Sequence, residues 1–242
     1  MSHNLAQDTI NHLIKQGAAL VGFADLSPID ESQSHGFPMA ISFCVALQPS
    51  IVADIADGPT EEYSAEYVRL NSQIGLMGRD MADLLKNRGW KALACPATGD
   101  WDPATLRAPF QHKTAATLAG HGWIGKCALL ITPTYGPAIR WGSVLTDAPF
   151  PAGTPQTESQ CGDCTACVNI CPGRACSGRA WCQGMAREEF WDPKACMAGM
   201  RKVSMARLHR AGICGMCIAA CPYTRAYLRR SGVPVKQPPP LT

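Results

Sequence analysis

The chain has 242 residues and 46% hydrophobic content, enough for one large domain or two small ones. Its longest apolar run, residues 39–47, is far too short to span a bilayer. The net charge of +3 is uneven: residues 201–242 hold eight Lys or Arg and no acid, so the first 200 residues carry more acid than base. No nucleic-acid motif accompanies that basic stretch. The simpler reading is that it offsets anionic metal centres.

The first residues carry neither a basic n-region, an apolar h-region nor a twin-arginine signal, and the expectation is a cytoplasmic protein with no membrane association. Residues 5–16 have helical spacing at Leu5, Ile10, Leu13 and Ile14, ended by Gly17. Residues 19–24 read as a buried strand. Residues 39–47, apolar on both faces, read as a central one. Pro59 followed by Glu61 and Glu62 opens a long helix running to about residue 88. Tyr63, Tyr67, Leu70, Ile74, Met77, Met81 and Leu84 form its stripe. Such a stripe is ordinarily core, although Tyr63 and Tyr67 could present phenols to a ligand.

A third strand covers residues 90–95, and a loop at 100–105 carries Asp100 and Asp102. A short helix spans 112–119 and includes Lys113. It leads into the glycine-punctuated loop of Gly120, His121, Gly122, Trp123, Ile124, Gly125 and Lys126. Glycines there permit close approach of the backbone to a ligand; an ordinary tight turn would use them as well. Strands at 127–132 and 138–146, joined by the Pro133–Pro137 turn, suggest a hairpin, and a Pro-rich linker follows at 149–155. The expectation is an α+β fold: a mixed sheet-and-helix domain over 1–150, a small ferredoxin-like domain over 156–230, and a disordered Pro-rich tail at 231–242.

The strongest motif is Cys161-Gly-Asp-Cys164-Thr-Ala-Cys167-Val-Asn-Ile-Cys171-Pro172, the C-x2-C-x2-C-x3-C-P run of bacterial ferredoxins. In two-cluster ferredoxins the fourth cysteine ligates the other cluster, so the run predicts a partner downstream. Cys214, Cys217, Cys221 and Pro222 supply it, but Ala211 stands where its first ligand belongs. Cys196 is the nearest replacement; Cys176 and Cys182 are less suited because they lie close to Cys171. The expected sets are Cys161, Cys164, Cys167 and Cys221 on one 4Fe-4S cluster, and Cys171, Cys196, Cys214 and Cys217 on the other. Paired C-x2-C also serves structural zinc, which needs neither the x3-C-P tail nor a crossed ligand. Cys44, Cys95 and Cys127 read as small buried residues.

Residues 112–131 resemble the A-G-L-G-W-I-G-K-x-x-L-L-I segment of epoxyqueuosine reductases. Leu145-Thr-Asp147, the first cysteine run and the lone Cys196 before the second extend the likeness over about 105–223. That family binds a cobalamin between its α+β and ferredoxin-like domains, uses two 4Fe-4S clusters, and shares its plan with reductive dehalogenases. The resemblance implies a cobalamin here. It puts Lys113, Gly122, Trp123, Ile124, Gly125, Lys126, Trp141 and Gly142 near the corrin, and calls for a low-potential donor of ferredoxin or flavodoxin type.

Two departures stand out. Counting back from Trp123, the family's proton-donating Asp falls on Leu106, which cannot donate a proton; Asp100, Asp102, Tyr63 and Tyr67 are the remaining candidates. The C-terminal helical-repeat region that helps those enzymes hold tRNA has no counterpart after the second cysteine motif. Both weigh against tRNA as substrate. The reading is a cobalamin-dependent oxidoreductase acting on a small molecule, or an electron-transfer or corrinoid-activating protein.

Overall fold

A computed structural model describes residues 2–97 and 101–236. In chain order its elements are α1 (Ser2–Lys15), β1 (Leu20–Asp25), α2 (Glu31–Ser34), β2 (Met39–Ala46), α3 (Pro49–Ala53), α4 (Glu61–Asn87), β3 (Ala92–Cys95), α5 (His112–Leu118), β4 (Trp123–Ile124), β5 (Leu130–Ile131) and β6 (Ile139–Thr146). The cysteine-rich part adds α6 (Ala166–Asn169), α7 (Arg187–Phe190), α8 (Pro193–Leu208), α9 (Met216–Ala220) and α10 (Pro222–Arg230).

These elements sort into two compact units, and neither is one continuous stretch. The first comprises Met1–Ala46, Arg69–His121 and Arg140–Gln156; the second comprises Leu47–Val68, Gly122–Ile139 and Thr157–Thr242. The last crossing, after Gln156, lies near the boundary expected from the Pro-rich linker. The earlier crossings bring the start of α4 and the glycine loop into the cysteine-rich unit.

The first unit is built on a four-stranded sheet in the order β1-β2-β6-β3. β1 and β2 pair antiparallel from Leu20↔Cys44 to Asp25↔Met39, and β3 pairs with β6 from Ala92↔Thr146 to Cys95↔Ser143. β2 and β6 are the interior strands, so their side chains are buried on both faces, which accounts for their near-continuous apolar sequence. On one face Gly142 lies under the Phe43 ring and the Ile74 side chain: a Cβ there would come 2.5 Å from Phe43 Cζ. On the other, α5 packs on β1 and β2. Ala24, Leu26, Ala40, Phe110, Ala115, Leu118 and Leu145 form a core there.

Three expectations need correction. The strand before the Pro133–Pro137 turn does not pair with the strand after it. β5 turns back on β4, with Trp123 opposite Ile131, while β6 joins the larger sheet. The turn is tight because Gly125 N–H donates to Leu129 O and Ala128 N–H to Gly125 O, both at 2.8 Å, with Ala128 in the left-handed region. In α1 the buried stripe is Ala6, Thr9 and Leu13, and Ile14 is exposed. In α4 Leu85 rather than Leu84 is fully buried, and Glu66 is buried beside Tyr63 in the stripe.

Among the described residues no helix is long and apolar enough to cross a membrane. The tail expected at 231–242 is described only to Lys236, which pairs with Asp54 at 2.5 Å; residues 237–242 lie outside the described part.

Candidate metal centre

The second unit gathers both cysteine motifs. In the first, Cys164 N–H donates to Cys161 O at 3.1 Å, and the single turn of α6 carries Cys167. Pro172 and Gly173 then break the helix, and Ala175 N–H donates to Cys171 Sγ at 3.3 Å. In the second, Gly215 (φ 84°) sits between Cys214 and α9, which carries Cys217, and Pro222 opens α10 directly after Cys221. A side chain at Gly215 would strike Ile55 and the ring of Tyr63. Tyr63 is therefore buried as packing under the Cys214 loop, and Tyr67 lies half-buried one turn further on.

Cys196 reaches this unit on α8. Asp192 caps that helix, its Oδ1 accepting from Lys194 and Ala195 N–H at 2.8 and 3.0 Å, and Pro193 occupies its first turn. Two glycines let α8 touch the turn after Cys171. A Cβ at Gly173 would overlap the Ala195 carbonyl, and one at Gly199 would overlap the backbone of Gly173.

Cys161, Cys164, Cys167 and Cys221 line one cavity, with Gly125, Lys126, Cys127 and Tyr223 on its walls. Cys171, Cys196 and Cys217 pack in the same cluster as Cys161, Cys167 and Cys221, and Cys214 packs against Ile170, Met216 and Ala220. Among the described residues, no three His, Cys, Asp or Glu side chains converge on a single ion. Two further buried thiols, Cys127 and Cys176, pack in the same cluster as Cys167, Cys171 and Cys217. Neighbouring thiols hold the Cys167 thiol down to about 3 and the Cys171 thiol down to about 6. Burial pushes Cys214 and Cys221 up to about 12.

The glycine loop serves the cysteine run. Lys126 is 6% exposed, and its ammonium donates to Gly162 O at 2.7 Å and Cys164 O at 3.1 Å. Gly125 faces Cys161: a Cβ there would lie 3.6 Å from its Sγ. At Gly122 a Cβ would overlap the Ile131 carbonyl, so that glycine exists for the β4–β5 pairing. Trp123, 1% exposed, meets Tyr223 edge-on at 5.2 Å, and its indole N–H has no partner among the described residues. Ile124 is buried next to it.

The remaining candidates belong to the first unit. Trp141 lies 5.2 Å from the His121 ring; its Nε1 is buried and unpartnered among the described residues, as is Ser42 Oγ on β2. His121 Nε2 is 3.3 Å from Ser42 O, and burial lowers the imidazole pKa. The open side of Gly142 is filled by Phe43 and Ile74. Lys113 is half-buried at the start of α5. Beside it, His112 bridges Ser143 Oγ (2.9 Å) and Pro96 O (2.8 Å).

Asp102 is exposed, and its carboxylate accepts from Ala104 N–H and Thr105 Oγ1, both at 2.8 Å. Those bonds hold its pKa below the ordinary carboxylate value, which suits a turn-forming anion better than a proton donor near neutrality. Leu106 closes the same turn with φ 54°, a conformation that costs a leucine roughly 1–2 kcal/mol. Asp100 lies outside the described residues.

Cys44 and Cys95 are buried and their thiols are pushed up to about 12 by desolvation, whereas Cys182 is exposed. The thiolate is the nucleophile. Alkylation of the folded protein at mild alkaline pH, mapped by mass spectrometry, should label Cys182 and leave Cys44 and Cys95 untouched until the chain is unfolded.

No family model matches the chain. Its fold is that of solved reductive dehalogenases and epoxyqueuosine reductases. A structure described as suggesting a mechanism for B12-dependent dehalogenation superposes with TM-score 0.67 at 18% identity, covering 89% of this chain and 32% of that one. An epoxyqueuosine reductase solved with a modified tRNA stem loop gives 0.61 at 16% identity, covering 94% and 67%. In sequence, the epoxyqueuosine reductase of Aliivibrio fischeri is 34% identical over 121 residues, 48% of this chain and 30% of that protein. That of Synechococcus sp. strain CC9605 is 30% identical over 190 residues, 74% and 52%. The chain thus spans about half or less of the length of these curated relatives. In sequence it is similar to curated epoxyqueuosine reductases, and in fold to epoxyqueuosine reductases and reductive dehalogenases.

Proposed function

We propose that the chain is a cobalamin-dependent iron–sulfur oxidoreductase acting on a small organic molecule. Two 4Fe-4S clusters are held by Cys161, Cys164, Cys167 and Cys221, and by Cys171, Cys196, Cys214 and Cys217. The observation that supports this reading is that Cys221 of the second motif lines one cavity with Cys161, Cys164 and Cys167 of the first, with Cys171, Cys196 and Cys217 packed in the same cluster. Four thiolates per cluster is the donor set such clusters take. For the corrinoid, the buried unpartnered donors Trp141 Nε1 and Ser42 Oγ leave hydrogen bonds for a ligand to satisfy.

When bound, the clusters supply low-potential one-electron transfer and the corrinoid a strongly reducing cobalt, with electrons from a ferredoxin- or flavodoxin-type donor. The chain's own residues do the rest. Lys126 ties down the Cys161–Cys164 loop and places a positive charge beside the anionic thiolates. Trp123, Ile131 and Tyr223 keep water from them.

Anaerobic reconstitution with iron, sulfide and hydroxocobalamin tests the reading. After desalting, both the broad iron–sulfur absorption and the corrinoid bands should stay with the protein, and their joint loss would overturn it. Iron–sulfur absorption alone, with electrons passed to a separate corrinoid protein, would instead support the second reading, an electron-transfer or corrinoid-activating protein. Leu106, fixed in a turn at the family's proton-donor position, favours that reading. The curated relatives and the tRNA-bound neighbour make epoxyqueuosine in tRNA the third substrate to assay.

A further inference from the structure

The helix that carries Cys196 has two unlike sides. On α8, Gly199, Ser204 and Leu208 are buried, and Cys196 packs among the other thiols. The opposite side is an exposed stripe of Lys194, Ala198, Arg201, Lys202 and Met205, spaced i, i+4, i+7, i+8 and i+11. Met205 is 51% exposed. Arg174 adds a further exposed charge, on the turn whose Gly173 rests against Ala195 and Gly199.

The basic residues of the second unit are not used alike. Arg207 pairs with Asp57, Arg210 with Glu61, Lys236 with Asp54, Arg179 with Glu189 and Arg187 with Glu188, while Arg230 donates to Thr134 O. Among the described residues, Arg174, Lys194, Arg201 and Lys202 have no acidic partner. Asp192, the acid nearest the stripe in sequence, is turned to the N–H groups of Lys194 and Ala195. Unpaired positive charge is therefore concentrated around Ala198 and Met205, on the outer side of the helix whose inner side holds a proposed cluster ligand.

Resting on the iron–sulfur reading above, we propose that this face of α8 is where an acidic one-electron carrier protein docks. One electron leaves the carrier and reduces the cluster held in part by Cys196; no bond forms or breaks. Fixed positive charges draw in a partner of opposite sign and speed the encounter, an effect that salt weakens. Methionine and arginine are residues that protein interfaces favour, and electron-transfer interfaces are small, so one helix face with its adjoining turn suffices. Positive charge also attracts nucleic acid, but this face offers no aromatic ring on which a base could stack. The crossing is short, since the stripe and Cys196 are separated by the width of one helix, about 10 Å.

The test uses the anaerobically reconstituted chain and an acidic flavodoxin. Iron is counted, flavodoxin affinity is measured by surface plasmon resonance, and cluster reduction by flavodoxin hydroquinone is followed by stopped flow. The unmodified chain is compared with the triple variant Lys194→Glu, Arg201→Glu, Lys202→Glu, and with a charge-matched control, Lys15→Glu, Arg79→Glu, Lys91→Glu, at exposed positions of the first unit. All three should carry the same iron. The α8 variant should lose at least about tenfold in affinity and in bimolecular reduction rate at low salt, a gap that closes as salt is raised, while the control keeps both within about twofold. Met205→Ala, which leaves the charge alone, should weaken binding without altering its salt dependence. Equal affinities and rates in the two triple variants would overturn the docking face while leaving the clusters in place. So would an α8 variant that loses binding to a tRNA stem loop but not to flavodoxin, since the face would then be a nucleic-acid surface. An unmodified chain that takes up no iron would bring down the cluster reading, and this proposal with it.

Discussion

Cys196→Ala should leave the protein with one cluster in place of two: iron falls from about eight to about four per chain, because each cubane holds four irons on four thiolates. The cluster on Cys161, Cys164, Cys167 and Cys221 should persist, since none of its ligands is touched. The second set loses one of its four ligands. Cys176 is one alternative by spacing, but its backbone is tied to Trp191. Iron and sulfide analysis with EPR of the reduced protein reads the outcome. Cys182→Ala serves as the control, keeping all its iron. Retention of eight irons by Cys196→Ala would require a different fourth ligand.

Gly122→Ala should be worse, since the first turn of the cysteine site is assembled on it. The new methyl would overlap the Ile131 carbonyl and press on Thr132 Cα, both backbone, so neither can move aside as a side chain would. Unpairing β4 from β5 exposes Trp123 and Ile131 and withdraws Lys126 from the Gly162 and Cys164 carbonyls. Lost burial and two abandoned carbonyls together exceed about 4 kcal/mol, the range in which a marginal domain no longer folds. Gly89→Ala is the comparison: its φ is 89° but nothing lies within 4 Å, so only the left-handed penalty of about 1 kcal/mol applies. Urea unfolding and iron retention should separate the two variants sharply.

The cysteine spacing carried a great deal because metal ligation is written locally: a turn, a short helix and a proline at fixed offsets. The missing first ligand of the second run pointed across the chain to Cys196, and α8, which carries it, meets the turn after Cys171 at Gly173 and Gly199. Interior strands were equally legible, since burial on both faces leaves only apolar residues.

What the sequence concealed was pairing. β5 and β6 both look like strands, and adjacency suggests that they meet. Nothing local says that Gly122 lets β4 come close enough to take β5 instead. Lys126 is put near a corrin by the resemblance alone; no local signal announces that its ammonium donates to carbonyls 36 and 38 residues away. Cys127 reads as a small buried residue and Cys176 as a less suited ligand, since the residues they pack against are distant in sequence.

The interleaving of the two units has a practical consequence for dissection. A fragment beginning at residue 157 would hold all eight proposed ligands and look, by its motifs, like a small ferredoxin. It would lack the β4–β5 hairpin with Lys126, and the Leu47–Val68 stretch whose Ile55 and Tyr63 back the Cys214 loop. The cysteine-rich third is therefore not a detachable cassette. Transplanting it, or trimming the chain to it, would separate the ligands from half of the scaffold that shapes them.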